Sequence, residues 1–246
     1  MYRSRLLGSA VRARSMATAR EGLGSEKKVV HCFYDVVSPY SWLGFEIICR
    51  YRPIWNMDLR FRPVFLAGIM KETGNRAPAL LREKAVYMTQ DLQRLGKFCQ
   101  VPLRPPKDFM GTVIEKGSLP AMRFLTAVDI LQPEFVEPVS KEFWMRIWSR
   151  DEDITQPESI LAVAGKAGLP SDKAQKLLEM STSPEVKNHL KETTSEVLRY
   201  GAFGVPCFVV HVDSKPQLLF GSDRLELLGS LLGEKWLGPV PTSSKL

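Results

Sequence analysis

The chain contains 246 residues, of which 44% are hydrophobic and 25% are charged, an ordinary globular composition in a length that can bury a large core. Its net charge is +7, but five arginines and no acidic residue lie within residues 1–20, so the remainder carries only +2. That remainder shows no basic stripe with interleaved aromatic residues, so a nucleic-acid partner is not expected. No run of about 18 apolar residues occurs, which excludes a membrane-spanning helix.

Both ends of the chain have the character of targeting signals. Residues 1–28 are rich in Arg, Ser and Ala, and their first 20 residues have the cationic, amphipathic pattern of a mitochondrial transit peptide. A disordered basic tail is the alternative. Residues 241–246 form an expected exposed tail that ends in Ser244, Lys245 and Leu246, the peroxisomal address. The sequence therefore predicts both mitochondrial and peroxisomal locations.

The first structured segment has the order β-α-β. Residues 29–37 are β-branched and aromatic, which is typical of a strand. Ser38 fits an N-cap and Pro39 the first position of a helix that extends to Tyr51. Residues 59–66 alternate as a second strand, and such a unit favours a parallel pair with a right-handed crossover.

A long helical segment follows, without any strand-like run. Residues 67–79 contain glycine, asparagine and proline and are predicted to be a loop. The apolar spacing is then helical throughout residues 80–199. Helices are predicted over residues 80–98, 118–131 and 135–150, and after the caps Thr155, Ser171 and Ser183.

The last segment, residues 200–240, has the order β-β-α. A strand over residues 207–212 and a second over residues 217–220 predict a hairpin, and Asp223 fits the cap of a final helix. The whole pattern predicts an α/β, thioredoxin-like fold of the DsbA-like branch. Its thioredoxin-like domain is discontinuous, residues 29–79 and 200–240, and residues 80–199 form a large helical insertion domain.

The cysteines do not form a redox or metal site by spacing. Cys32, Cys49, Cys99 and Cys207 include no C-x-x-C pair, and with three histidines they give no metal-ligand cluster. Redox thioredoxins carry C-x-x-C at the start of the first helix, whereas this chain has serine at both positions, Ser38 and Ser41. We therefore expect free thiols and no bound metal.

Several long strings identify a more specific resemblance. They include FYDVVSPYSWLGFE (33–46), GIMKETGN (68–75), SLPAMRFLTAV (118–128), YGAFGVP (200–206) and FGSDRLELL (220–228). With these strings the chain closely resembles the kappa-class glutathione transferases from about residue 29 to residue 240. The resemblance implies a homodimer with glutathione as co-substrate, no permanently bound cofactor, and small hydrophobic electrophiles as the second substrate.

The chemistry expected at Ser38 follows from its residue type and position. A serine hydroxyl is not ionised at neutral pH, but it can donate a hydrogen bond. At a helix N-terminus this donor adds to the positive end of the helix dipole, which favours a bound anion. We predict that the anion is the thiolate of glutathione, and that a plain N-cap is the alternative role.

The resemblance also implies which residues bind glutathione. Pro206 matches the cis-proline of the thioredoxin fold, and Val205 would pair its backbone with the cysteinyl part. Cys207, next to it, is expected to face inward, with a mixed disulfide with glutathione as the alternative. Ser222 and Asp223 would hold the γ-glutamyl end, and Asn75 and Lys84 the glycyl end, with Arg82 as a local competitor of Lys84. The expected glutathione-binding residues are Ser38, Pro39, Tyr40, Asn75, Lys84, Val205, Pro206, Ser222 and Asp223.

Two other functions fit the same scaffold. A glutathione-dependent isomerase of the 2-hydroxychromene-2-carboxylate type also has a serine at this position, so Ser38 does not distinguish the two. A DsbA-like chaperone without cysteines would not need Asn75, Ser222 and Asp223. The long matching strings favour a transferase, with glutathione-dependent peroxidase activity as an addition.

Overall fold

The computed structural model describes residues 26–241. Most of the predicted transit segment and the whole Ser244-Lys245-Leu246 signal lie outside these residues. Within the described part of the chain, no helix is both long and apolar enough to cross a membrane.

A four-stranded mixed sheet forms the centre of the fold, with the order β2-β1-β3-β4. The strands are β1 (Lys28–Tyr34), β2 (Met57–Pro63), β3 (Cys207–Val212) and β4 (Lys215–Phe220). Strand β1 is parallel to β2 and antiparallel to β3, and β3 is antiparallel to β4. The predicted β-α-β unit and hairpin are both confirmed. The sheet joins residues that lie about 170 positions apart, such as Phe33 and Cys207.

Helices pack around this sheet, and most of them lie in the chain between strands β2 and β3. Helix α1 (Pro39–Tyr51) is the crossover between β1 and β2. Between β2 and β3 the chain forms α2 (Leu66–Thr73), α3 (Arg82–Phe98), α4 (Leu119–Leu131), α5 (Val136–Met145), α6 (Pro157–Lys166), α7 (Ser171–Met180) and α8 (Pro184–Arg199). Helix α9 (Leu225–Leu232) follows the hairpin.

The prediction that residues 67–79 are a loop is wrong in its first half. Helix α2 occupies Leu66–Thr73 and ends at Gly74, whose φ of 69° is the left-handed conformation that glycine favours. A loop was predicted because the glycine and proline content of the segment was given more weight than its helical spacing. Its helical state depends on burying Ile69 beneath the sheet, which is a tertiary contact.

Several cap predictions are also wrong. Thr155 is not an N-cap, because α6 begins after Gln156, and Asp153 Oδ2 instead accepts from the N–H groups of Thr155 and Gln156. Helix α7 is preceded by Pro170 rather than capped by Ser171. The helix predicted over 135–150 ends in a π-helical turn, Arg146–Arg150. Ser183 is an N-cap as predicted, since its Oγ accepts from Val186 N.

The larger hydrophobic core lies between one face of the sheet, α1 and the helical segment. Tyr34, Phe45 and Trp144 pack there, with ring centroids 4.9–5.4 Å apart. Trp42 is also buried in this core. This core takes residues from both the predicted thioredoxin-like part and the predicted insertion, so their separation into two domains stays a prediction. A smaller core on the opposite face includes Phe33 and the residues of α2 and α8 that cover it.

Candidate active site

Ser38 lies at the junction between the sheet and α1. Its φ of −87° and ψ of 117° are those of an extended N-cap, and its Oγ accepts from Ser41 N at 3.1 Å. Its own backbone N–H donates to Asp35 O at 3.0 Å, which closes the turn after β1. Because Oγ is already an acceptor, the hydroxyl hydrogen remains to donate, and no acceptor for it is found within residues 26–241.

A cavity of about 1230 Å³ opens beside Ser38. Ligand sites commonly occupy about 300–1,000 Å³, so this one has room for glutathione and a second substrate together. The structure brings all of the expected binding residues to its walls. They are Ser38, Pro39, Tyr40, Asn75, Lys84, Val205, Pro206, Ser222 and Asp223.

The loop before β3 forms one wall of the cavity. The Val205–Pro206 peptide bond is cis, as the resemblance implied. A Cβ at Gly44 of α1 would lie 3.2 Å from Pro206 Cγ and from Phe208 Cζ, so glycine permits this close approach of the helix. Within the described residues, no hydrogen bond reaches the backbone N–H or C=O of Val205. Both groups are therefore available to an extended peptide ligand.

Ser222 and Asp223 lie next to this loop in space, because the preceding residue, Gly221, donates its N–H to Pro206 O at 2.9 Å. They lie in a short 3-10 turn, Ser222–Arg224, that precedes α9. The prediction that Asp223 caps the final helix is wrong, because its side chain makes no capping bond. Its exposed carboxylate instead pairs with Arg224 Nη1 at 2.6 Å.

Asn75 and Lys84 also line the cavity. The amide of Asn75 is engaged by the protein, since Nδ2 donates to Phe203 O at 2.7 Å and Oδ1 accepts from Arg76 N. Asn75 thus ties the α2–α3 connection to the loop before Pro206. Lys84 is exposed in the first turn of α3 and makes no ion pair within residues 26–241. Arg82 does not line the cavity, which leaves Lys84 as the better placed cation.

Asp91 of α3 lies in the cavity wall, and sequence reasoning missed it. The hydroxyl of Tyr40 donates to Asp91 Oδ2 at 2.9 Å. The hydroxyl of Tyr87 donates to the other carboxylate oxygen, Oδ1, at 3.4 Å. Burial and this carboxylate raise the pKa of Tyr40, so its phenol stays protonated. The i, i+4 spacing of Tyr87 and Asp91 was visible in the sequence, but their contact with α1 depends on how the helices pack.

Asp35, also missed, supports the turn that carries Ser38. Its side chain is fully buried and accepts from Val37 N at 2.9 Å, Leu66 N at 2.8 Å and Ser118 Oγ at 2.9 Å. It thereby joins the β1–α1 turn to the first residues of α2 and α4. Burial raises the pKa of this carboxyl to about 6, although its three hydrogen bonds act in the opposite direction.

Cys207 faces away from the cavity. It is fully buried and its Sγ donates to Gly204 O at 3.0 Å, which confirms the expected inward orientation. Burial raises the pKa of this thiol to about 12. A thiol of this kind is unreactive, because the thiolate is the nucleophile in disulfide exchange.

The fold and the position of the site define the class of this protein. A family model described as a DSBA-like thioredoxin domain matches residues 29–233. The chain belongs to this family, and within it to the kappa-class glutathione transferases. It is 58% identical over 219 residues to human "Glutathione S-transferase kappa 1", covering 89% of this chain and 97% of that protein. The Caenorhabditis elegans protein of the same name is 32% identical over 216 residues, covering 87% and 93%.

Solved structures agree with this fold. A 2-hydroxychromene-2-carboxylate isomerase has a TM-score of 0.65 at 22% identity, covering 83% of this chain and 94% of that one. The cytosolic disulfide reductase DsbM from Pseudomonas aeruginosa with GSH has a TM-score of 0.57 at 15% identity, covering 83% and 96%. At these identities the likeness concerns the fold alone.

Proposed function

We propose that the chain is a glutathione transferase that conjugates glutathione to small hydrophobic electrophiles, and that Ser38 stabilises the glutathione thiolate. The observation that carries this proposal is a hydroxyl with a hydrogen to donate, at the N-terminus of α1, facing a cavity large enough for both substrates. The identity of 58% to a named transferase supports the reaction class.

The energetics of thiolate stabilisation are within reach of this site. A thiol with a pKa of about 8.5 is only a few per cent ionised at neutral pH. A two-unit decrease requires about 2.7 kcal/mol of preferential stabilisation of the thiolate. A hydrogen bond to a charged group contributes about 1.5–3 kcal/mol, and a helix N-terminus up to about 1 kcal/mol. Ser38 and α1 together can therefore supply the required amount.

The bound thiolate then reacts as a nucleophile. Its electron pair forms a sulfur–carbon bond, and the displaced pair leaves with a leaving group or moves to an oxygen that takes up a proton. A peroxide would be attacked at oxygen, which releases an alcohol and leaves a sulfenic acid. A second glutathione then reduces this acid to glutathione disulfide and water. Peroxidase activity is therefore part of the proposal.

The surrounding groups suit the rest of glutathione. The free backbone N–H and C=O of Val205 match its extended cysteinyl part. Asp223 would exchange its contact with Arg224 for the γ-glutamyl ammonium. Lys84, which is exposed and lines the cavity, would attract the glycyl carboxylate, while Asn75 holds the loop before Pro206.

Other functions have less support. The isomerase relative from Pseudomonas putida is 23% identical, compared with 58% for the human transferase. Disulfide exchange at this position would need thiols where Ser38 and Ser41 stand. Ser41 Oγ is buried with no hydrogen-bond partner among the described residues, so Ser41 has a packing role.

The test is a titration with glutathione, followed by the thiolate absorbance. We expect the wild-type protein to bind glutathione with a thiol pKa about two units below the free value. Ser38→Ala should bind it with a nearly normal pKa and lose about 100-fold in kcat/KM. Ser41→Ala is the matched control, since it removes a buried hydroxyl one turn away. An unchanged thiol pKa and full turnover in Ser38→Ala would contradict the role of Ser38.

We also propose a homodimer with mitochondrial and peroxisomal residence. The exposed rings of Phe203 and Phe220, whose centroids lie 4.4 Å apart at an interplanar angle of 41°, offer apolar surface for a second copy. Sedimentation tests the homodimer, and a monomer at all concentrations would refute it.

For the cellular location, initiation at Met1 would expose the transit segment, whereas initiation at Met16 would leave Ser244-Lys245-Leu246 as the address. Equal peroxisomal accumulation of a Met1-deleted chain and a Met16→Leu chain would contradict this scheme.

A further inference from the structure

The cavity extends well beyond the position of Ser38, along α1. Tyr40, Leu43 and Ile47 share one face of this helix and line the cavity in succession. With a rise of 1.5 Å per residue, Ile47 lies about 13 Å from Ser38 along the helix axis. We call this extension, lined by the α1 face from Leu43 to Ile47, the α1 arm.

The other walls of the α1 arm are mostly apolar. The end of helix α3 contributes Leu95 and Phe98, and the start of α9 contributes Leu225. Glutathione carries charged groups at both ends and does not match an apolar lining. The α1 arm therefore suits the second substrate rather than the first.

The segment after α9 closes the far end of the arm. This C-terminal strap, residues 234–241, folds back over the C-terminal end of α1. Trp236 stacks on Tyr51 with ring centroids 4.9 Å apart and an interplanar angle of 14°. The hydroxyl of Tyr51 accepts from Leu237 N and donates to Gly238 O, each at 2.7 Å.

Two further contacts fix the strap on either side of Tyr51. Arg50 Nη1 donates to Pro239 O at 2.8 Å, and Trp55 Nε1 donates to Lys235 O at 3.0 Å. Trp236 lines the cavity while its ring is held against Tyr51. The arm therefore ends at a fixed aromatic wall.

From this geometry, and given the proposed transferase function, we propose that the α1 arm binds an unbranched alkyl tail of the electrophile and that Trp236 limits its length. With carbon–carbon bonds of about 1.5 Å, an extended chain of ten carbons spans about 11 Å. A tail of about ten carbons on a sulfur beside Ser38 thus reaches through the arm as far as the strap. Each methylene buried on the way contributes about fourfold in affinity.

The experiment measures the dissociation constants of S-alkylglutathiones by calorimetry, with tails from about four to about sixteen carbons. For the wild-type protein we expect affinity to rise about fourfold per methylene up to about ten carbons and then to level off or fall. Trp236→Ala should move this break to longer tails by several carbons. Trp236→Phe should retain the break, since it keeps an aromatic wall on Tyr51.

Leu237→Ala is the matched control, because Leu237 lies in the same strap, is 43% exposed and does not line the cavity. An affinity independent of tail length in the wild-type protein would overturn the proposal. A break at the same length in a folded Trp236→Ala variant would overturn the role of Trp236. Loss of binding of glutathione itself would contradict the proposed function, which separates the two failures.

Discussion

The two ends of the cavity are built in different ways. At the Ser38 end, polar groups come from short turns: the N-cap of α1, the loop before Pro206 and the turn at Ser222. At the Trp236 end, side chains from α1, α3 and the C-terminal strap meet through long-range packing. The first end has the groups for thiolate chemistry and the second has a shape for an apolar tail. Chemistry and substrate selection are thus separable, and substitutions at one end should leave the other intact.

The largest effect is expected from Asp35→Asn, which alters only the support of the Ser38 end. The folded-state pKa of Asp35, about 6, is above its ordinary value of 3.8, so the folded protein holds this proton more tightly than the unfolded chain does. Protonated Asp35 therefore makes its greatest contribution to the free energy of unfolding below about pH 4. This contribution decreases by about 3 kcal/mol as the pH rises past 6.

Urea unfolding of the wild-type and Asp35→Asn proteins across this pH range checks the effect. Asparagine does not titrate, so the stability difference between the two proteins should shrink as the pH rises from 4 to 6. Ser118→Ala is the control, since it removes one hydrogen bond to Asp35 without removing the carboxyl. A wild-type to variant difference that is independent of pH would contradict the prediction.

A smaller effect is expected from Asp223→Asn at the glutathione side of the Ser38 end. Because Asp223 makes no capping bond, its replacement should affect ligand binding more than folding. We expect glutathione affinity to fall by more than about fivefold, since the lost charge would pair with the γ-glutamyl ammonium. An analogue without this amine should bind both proteins alike, as calorimetry can measure. An equal loss for both ligands would indicate a structural role.

The smallest effect is expected from Cys207→Ser, which lies beside the site but faces the core. Steady-state conjugation should be unchanged, because the thiol is buried and its pKa is raised to about 12. Mass spectrometry of the folded wild-type protein after incubation with oxidised glutathione should show no adduct at Cys207. A large drop in turnover on replacement, or an adduct at this residue, would mean that the thiol reaches the bound sulfur.

Much of the Ser38 end could be predicted from the sequence, because local signals encode it. The N-cap at Ser38 followed from a strand, Ser-Pro and a helical pattern. The cis bond at Pro206 and the remaining binding residues came from the resemblance. Asp35 and Asp91 were missed because their contacts are not visible in the local sequence. Asp35 joins three segments of the chain, and Asp91 accepts a hydrogen bond from Tyr40 of another helix.

The sequence by itself determined the β-α-β and β-β-α halves, the helical segment between them and the serine at the head of α1, since these depend on periodicity and caps over a few residues. Only the tertiary structure decided the helical state of residues 66–73, the release of Asp223 from its expected cap and the strap that ends the α1 arm. Each of these depends on contacts between residues far apart in the chain. Tyr51 and Gly238, for example, are 187 positions apart. Such contacts are fixed by packing rather than by local propensity.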